Sequence, residues 1–335
     1  MDAIVNAGSG TSVGTGSRPA IAFGPVPSRR LGRSIGINHI PPKTCSYACV
    51  YCQVGRTSRL TITPTHFYGE DEIVSDVTRK VDDARSAGEV IDYLTFVPDG
   101  EPTLDLRLRR LIERLQPLGI RIAVITNGSL LWRPEIREAL ALADWVSVKV
   151  DGVREDVWRR IDRPHHGLVV ARVLKGLQEF AGTFRGELAT ESMLVRGFND
   201  GAAHLADLAS FLGELGPRIA YLSVPTRPPA EPDVEPPPEA VITQTFQLVR
   251  AQVAHVELLI GYEGNAFAAT GALAEDLLSI TAVHPMREDA VQAFVSKAGG
   301  DMSAVDSLIE QGLLARTSYD GSRFYIRRLQ SGASR

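Results

Sequence analysis

The stretch Trp145-Val146-Ser147-Val148-Lys149-Val150-Asp151 alternates apolar and polar residues without a break. A strand turns successive side chains to opposite faces, so Ser147, Lys149 and Asp151 share one face and the valines the other. The valine face suits packing under helices, which turns the polar face inward. An inward lysine is costly unless a carboxylate pairs with it or a ligand takes it. Helices outside and polar chemistry inside describe a strand of a parallel barrel.

Working outward, the same rhythm recurs on both sides. Apolar β-rich runs predict strands over 34–39, 91–97, 121–126, 186–195, 219–224 and 256–260. Helical periodicity predicts helices over 71–87, 104–115, 134–142, 155–161, 169–181, 202–215 and 239–252. Strand–helix alternation implies parallel pairing through right-handed crossovers. The expected fold is therefore α/β, a partial TIM-like (β/α)6 parallel barrel over 22–265. In such barrels the chemistry sits at the C-terminal ends of the strands. Seven prolines within 225–238 predict a stiff extended loop, either a spacer or a cover for the barrel mouth. From Leu277 the pattern changes: helices over 288–297 and 304–311, then a hairpin turning at Tyr319-Asp320-Gly321-Ser322. That order predicts a small winged-helix-like module over 277–330.

The chain has 335 residues, 44% of them hydrophobic, and a formal net charge of −4. A protein that coats nucleic acid non-specifically is normally basic overall. No run approaches the ~18 apolar residues of a membrane span. Residues 1–21 are rich in Gly, Ser and Thr and predict a disordered leader without a signal peptide's apolar region. Ser28-Arg29-Arg30-Leu31-Gly32 resembles a twin-arginine export signal on its surface, but Gly-rich polar sequence follows it. The expected location is the cytoplasm.

All three cysteines fall within eight residues, Cys45-Ser46-Tyr47-Ala48-Cys49-Val50-Tyr51-Cys52. A disulfide framework would scatter an even number along the chain. Three thiolates on one loop can bind one soft metal centre. Structural zinc needs four closed ligands, and a zinc alternative must recruit His39 or His66. A four-iron cubane takes one ligand per iron, so three cysteines leave one iron open to a small molecule.

This C-x3-C-x2-C loop, with Tyr51 before its last cysteine, resembles the radical S-adenosylmethionine (SAM) superfamily. Phe23-Gly24-Pro25-Val26-Pro27-Ser28-Arg29-Arg30-Leu31-Gly32 and Pro41-Pro42-Lys43-Thr44-Cys45 resemble its branch of wyosine-base-related Fe–S oxidoreductases. The resemblance covers about 22–265. It implies a [4Fe–4S] cluster on Cys45, Cys49 and Cys52, with SAM chelated at the open iron. It further implies reductive cleavage of SAM, hydrogen abstraction from a substrate by a 5′-deoxyadenosyl radical, and a low-potential electron donor of flavodoxin or ferredoxin type.

Pro98-Asp99-Gly100-Glu101-Pro102-Thr103 resembles the superfamily's Gly-Gly-Glu-Pro motif, with Asp99 in place of the first glycine. There a glycine lets backbone approach the ligand, and Glu101 or nearby carbonyls accept from the methionine ammonium. The same segment also reads as an N-cap turn for the helix at Leu104. Thr126 and Asn127 end the third strand, where they can hold SAM's carboxylate or ribose. The resemblance places Ser147 and Lys149 on SAM too, against the alternative that Lys149 pairs with Asp151 or Glu191. Glu191 is a candidate for SAM or substrate, and Tyr51 for the cofactor. Asn199 or Asp200 can cap the helix that follows. Arg29 and Arg30 precede the barrel and suit an anion or surface acids.

Five arginines and one acid fall within 313–335, interleaved with Tyr319, Phe324 and Tyr325. Such a wing can grip an RNA substrate or dock a protein. Two function classes follow. One is a radical SAM enzyme acting on an RNA base, a peptide or a small molecule. The other is an Fe–S redox sensor that binds DNA through its winged-helix-like module.

Overall fold

A computed structural model describes residues 21–261, 267 and 273–328. The predicted leader lies outside the described residues, apart from Ile21. In chain order the strands are β1 (Ala22–Ser28), β2 (Gly32–Ile37), β3 (Thr44–Cys45), β4 (Arg59–Leu60), β5 (Tyr93–Phe96), β6 (Arg121–Thr126) and β7 (Trp145–Lys149). There follow β8 (Glu187–Met193), β9 (Ile219–Ser223), β10 (Val256–Leu259), β11 (Met286–Arg287), β12 (Leu314–Tyr319) and β13 (Ser322–Arg327). The helices are α1 (Glu70–Ser86), α2 (Leu108–Leu115), α3 (Pro134–Leu140), α4 (Glu155–Asp162) and α5 (Val170–Thr183). They continue as α6 (Ala202–Leu215), α7 (Glu239–Arg250), α8 (Leu273–Val283), α9 (Glu288–Lys297) and α10 (Ser303–Glu310).

One eight-stranded sheet runs β1-β2-β5-β6-β7-β8-β9-β10. Every neighbouring pair from β2 to β10 is parallel, whereas β1 pairs antiparallel to β2. The sequence reading missed β1, whose Gly and Pro residues hide its pattern. Leu31 and Tyr93 meet Trp145, Tyr221 and Leu259 in a single apolar cluster on the inner face. Arg29, between β1 and β2, donates to the carbonyl of Gly261 after β10, and Arg30 pairs with Glu191 of β8, so the sheet curls on itself. The outer face is covered by helical stripes; on α2, Leu108, Leu111, Ile112 and Leu115 are all buried at helical spacing.

Two local expectations are corrected. The helix expected over 104–115 is split into a short 3-10 turn (Pro102–Leu104) and α2. Asp105 Oδ1 accepts from the Arg107 amide at 2.8 Å and turns the chain between them. Asn199 does not cap α6, whose N-cap is Gly201. Its Nδ2 donates to the carbonyls of Asp151 (2.9 Å) and Met193 (2.8 Å), tying the ends of β7 and β8 together.

After β10 the chain builds a second sheet, ordered β11-β13-β12 and antiparallel throughout. Its core joins Leu277, Ile280, Phe294, Val305 and Tyr325, and Val26 of β1 packs against it. Phe324 and Tyr325 are buried, so those rings are not a surface for stacking on bases. Arg316 pairs with Asp306 and Arg323 with Glu288. No helix among the described residues is long and apolar enough to cross a membrane.

The seat of this C-terminal unit against the barrel is partly ionic. Lys80 of α1 points into the apolar stripe of Ile73, Val77, Val81 and Ala84, and its Nζ donates to Asp276 of α8 at 2.9 Å. Removing one partner of a buried pair strands the other's charge. Asp276→Ala is expected to destabilise the protein by about 3 kcal/mol in urea unfolding. The double variant Lys80→Met/Asp276→Leu should recover much of that loss.

Candidate functional site

The cysteine loop leaves β2 and is fixed at two places. Lys43 N donates to the Asp99 carbonyl at 2.7 Å, and Glu101 N donates to the Thr44 carbonyl at 3.1 Å. These bonds draw the backbone after β5 so close that a Cβ on Gly100 would lie 1.9 Å from the Thr44 oxygen. On the far side, Ala48 N and Val50 N donate to the carbonyls of Asp162 and Ile161 at the end of α4. The proline-rich loop lies over the same segment, with Glu231 N donating to the Val50 carbonyl at 3.0 Å. It is a cover as well as a connection.

Cys45, Cys49 and Cys52 are all free thiols and line one cavity of about 330 Å³ at the C-terminal ends of the strands. Burial, reinforced by the Glu101 carboxylate, pushes the Cys45 thiol up to about 12. Burial and the carboxylates of Asp162 and Asp151 hold Cys49 well above the ordinary thiol range. Burial also raises Cys52, against the opposing charge of Lys43. In this setting the thiolates are favoured only when a cation compensates their charge.

Glu101 is buried, and its carboxylate takes four internal donors. Oε1 accepts from Thr103 N (3.0 Å), Thr103 Oγ1 (2.6 Å) and Thr126 Oγ1 (2.5 Å), while Oε2 accepts from Asn127 N (2.8 Å). Glu101 therefore clamps the ends of β5 and β6 and caps the 3-10 turn, which leaves carbonyls rather than its oxygens as the main acceptors there. With its backbone so held, Asn127 donates from its side-chain Nδ2 to Ser46 Oγ at 2.9 Å and approaches Cys45 Sγ at 3.6 Å.

Across the cavity, Lys149 Nζ donates to Glu191 Oε1 at 2.5 Å, and Arg30 bonds the other carboxylate oxygen. Burial alone would raise the Glu191 carboxyl, but the two cations bring it down to about 2. Of the two partners weighed for Lys149, the structure gives Glu191. Asp151 instead accepts from the Tyr51 hydroxyl and from Met193 N at 2.6 Å. The Tyr51 ring stands 5.6 Å from Lys149 Nζ. Asp162 is raised well above the carboxylate range by burial and by the charge of Asp151, and takes a 3.3 Å contact from Cys49 Sγ.

The cavity is lined by Tyr51, Gly100, Glu101, Thr126, Asn127, Lys149 and Glu191, as the sequence leads one to expect. Ser147 is the exception. It is buried two residues below Lys149, beside Ile125 and Ala189 in register, and is not part of the lining. Neither histidine weighed as a zinc ligand lines it. His39 is fully buried with Nε2 3.3 Å from the Pro102 carbonyl, and His66 accepts from Arg107 Nε at 3.1 Å.

Sequence reasoning assigned no site role to Asp99, Asp162, Arg227 or His284. Asp99 stood out only as a departure from a motif. Asp162 reads as the last turn of an ordinary helix, and nothing local marks Arg227 or His284, which come from distant segments.

Comparison with known proteins follows the same lines. The sequence matches the family model of the Radical SAM superfamily over residues 40–209. A UPF0026 protein of Methanocaldococcus jannaschii is 43% identical over 313 residues, covering 93% of this chain and 97% of its own. A UPF0026 protein of Helicobacter pylori strain 26695 is 33% identical, over 63% of this chain and 68% of its own. A crystal structure of a radical SAM methyltransferase from Sphaerobacter thermophilus is similar with a TM-score of 0.53 at 19% identity, covering 68% of this chain and 66% of that one. At that identity the likeness concerns the fold, an α/β arrangement around a parallel sheet. The family match spans the cysteine loop, and the chain belongs to the radical SAM superfamily of enzymes.

Proposed function

We propose that this enzyme holds a [4Fe–4S] cluster on Cys45, Cys49 and Cys52, cleaves SAM reductively, and abstracts hydrogen from a small-molecule substrate. The observation that carries the reading is three free cysteines of one loop around one cavity whose wall also carries preorganised polar groups, Asn127 held by Glu101 and Lys149 held by Glu191. Among the described residues, no three His, Cys, Asp or Glu side chains converge as a single-ion site. Three cysteines of one C-x3-C-x2-C loop suit a cluster with one open iron better than one zinc, which takes four closed ligands. When bound, the cluster and SAM supply the electron transfer and the radical chemistry.

The protein's own groups bind, orient and exclude water. Pro98, Asp99 and Gly100 line the cavity, and their backbone would take the methionine ammonium, because Glu101 is committed to its internal donors. Lys149, held by Glu191, and Asn127, held by Glu101, offer donors to SAM's carboxylate and ribose. The Tyr51 ring is fixed by Asp151 and can flank the adenosyl part. A flavodoxin- or ferredoxin-type protein would supply the electron.

We read 22–265 as the catalytic barrel and 277–330 as a winged-helix-like unit serving as its wall. Its buried Phe324 and Tyr325 and its internally paired arginines speak against a nucleic-acid handle. The DNA-binding redox sensor therefore gains no support.

The test is anaerobic reconstitution with iron and sulfide, followed by SAM and dithionite. The wild-type protein is expected to develop iron–sulfur visible absorption and to release 5′-deoxyadenosine. Protein that carries one zinc and no such absorption would overturn the proposal. Cys49→Ala should lose both signals while keeping its far-ultraviolet circular dichroism. Gly100→Ala should also lose most bound iron, since its methyl group pushes the cysteine loop off β5. Lys149→Met should retain the cluster but bind SAM roughly tenfold or more weakly in equilibrium dialysis, the worth of one hydrogen bond to a charged group.

A further inference from the structure

The groups given to the cofactor come from the cysteine loop and from the ends of β5 to β8, which leaves the opposite wall of the cavity without a role. That wall lies where β1 and β10, the two edges of the curled sheet, approach each other. It carries Phe23, Val26 and Pro27 of β1, Val224 after β9, Leu259 of β10 and, from the C-terminal unit, His284. The Phe23 ring is seated over Gly36 of β2, where a Cβ would lie 2.0 Å from it. His284 is positioned by the last turn of α8. Its N donates to the Ile280 carbonyl at 2.8 Å, and Phe267 stands edge-on to its ring, with centroids 5.3 Å apart. The residue is 8% exposed, and its buried Nε2 has no hydrogen-bond partner among the described residues.

A buried ring nitrogen with nothing to bond is costly unless a ligand takes it. Two guanidinium groups act at the same place. Arg227 Nη1 donates to Gln53 Oε1 at 2.7 Å, and Arg30 bonds Glu191. Burial first, and then the charges of Arg227 and Arg30, hold His284 well below the ordinary histidine range. The ring is therefore neutral and can offer Nε2–H. A donor in a field of positive charge favours an anionic oxygen over a neutral carbonyl and repels a cation. A phosphate dianion calls for a nest of several N–H groups, whereas the side chains around this wall are mostly apolar. A carboxylate on an apolar body matches them better.

We propose that this wall is the substrate subsite, that it takes a small carboxylic acid with an apolar body, and that His284 Nε2 donates to the carboxylate while Phe23, Val26, Val224 and Leu259 pack on the body. This deepens the functional reading above and rests on it. The C-terminal unit thereby contributes a specificity-determining residue to the barrel's cavity.

The experiment has two arms. The first needs no cluster. Nitrogen-15 spectra of the histidine rings in the full chain as purified identify His284 by the signals absent from His284→Phe. Phenylacetate and hexanoate are expected to shift those signals, and the matched alcohols, phenethyl alcohol and hexanol, are not. In equilibrium dialysis, His284→Phe should bind phenylacetate roughly tenfold or more weakly than wild type, the worth of one hydrogen bond to a charged group. His284→Gln keeps an N–H near the Nε2 position and should stay within about threefold of wild type. Phenyl phosphate should bind wild type roughly tenfold or more weakly than phenylacetate. Unmoved signals, alcohols that serve as well, phenyl phosphate bound as tightly, His284→Phe that binds like wild type, or His284→Gln as weak as His284→Phe would each overturn the proposal.

The second arm uses the reconstituted full chain with SAM. Saturating phenylacetate is expected to leave SAM binding in dialysis unchanged. Displacement of SAM would give the anion to the cofactor's pocket, and the proposal falls. A wild-type protein whose His284 signals shift with phenylacetate but which never cleaves SAM condemns the broader functional reading and leaves the subsite standing. One that cleaves SAM while those signals stay still condemns the subsite alone.

Discussion

The site depends on one close approach of backbone to backbone. Thr44 and Glu101 can exchange their 3.1 Å bond only because residue 100 has no side chain, its Cβ direction being filled by the Thr44 oxygen. That contact sets the cysteine loop against the end of β5. From there Glu101 reaches Thr126 and Asn127, and Asn127 reaches back to Ser46 beside Cys45. A closed circuit of short bonds thus links the loop to two barrel strands. All its members but the partly buried Asn127 are buried, where such bonds are strong and a missing partner is costly.

Electrostatics divides the cavity into two halves. Near the cysteines, burial first and then the carboxylates of Glu101, Asp151 and Asp162 raise the thiols, so the loop disfavours thiolate anions. Opposite them, Glu191 is shared by Arg30 and Lys149 and remains ionised far below neutrality. Its charge cancels much of theirs. The two cations are positioned donors rather than a diffuse positive patch, a distinction that favours orientation over simple attraction.

Much of this was legible in the sequence, for definable reasons. Strict alternation in β7 exposes Lys149 as an inward charge, and the three clustered cysteines mark one loop as the site's centre before any strand is placed. The limits of β6, α6 and α9 were read without error because their apolar periodicity runs cleanly to a polar or glycine boundary. β1 was not legible, since its Gly and Pro residues break the β pattern while a neighbouring strand enforces it. The Lys149 partner was undecidable from spacing: Asp151 is two residues away, but the register of β7 on β8 sets Glu191 directly opposite. Ser147, which the resemblance puts on SAM, is buried below the cavity lining, since alternation gives a face but not a depth. Asp162, Arg227 and His284 join the site only through tertiary packing, which no local pattern encodes.

A curled sheet with β1 at one edge and β10 at the other has a seam rather than full closure. The tail bridges it, with α8 packed on β1 and the Tyr319 hydroxyl donating to the carbonyls of Pro225 and Val234 at 3.4 Å. Chain order therefore matters to assembly. During synthesis the barrel strands precede the segment that covers Val26, and the flank is sealed only once residues 273–328 have followed. Until then the bare margin of β1 is free to recruit a strand from another copy, so the tail protects the nascent chain before it ever serves the finished enzyme.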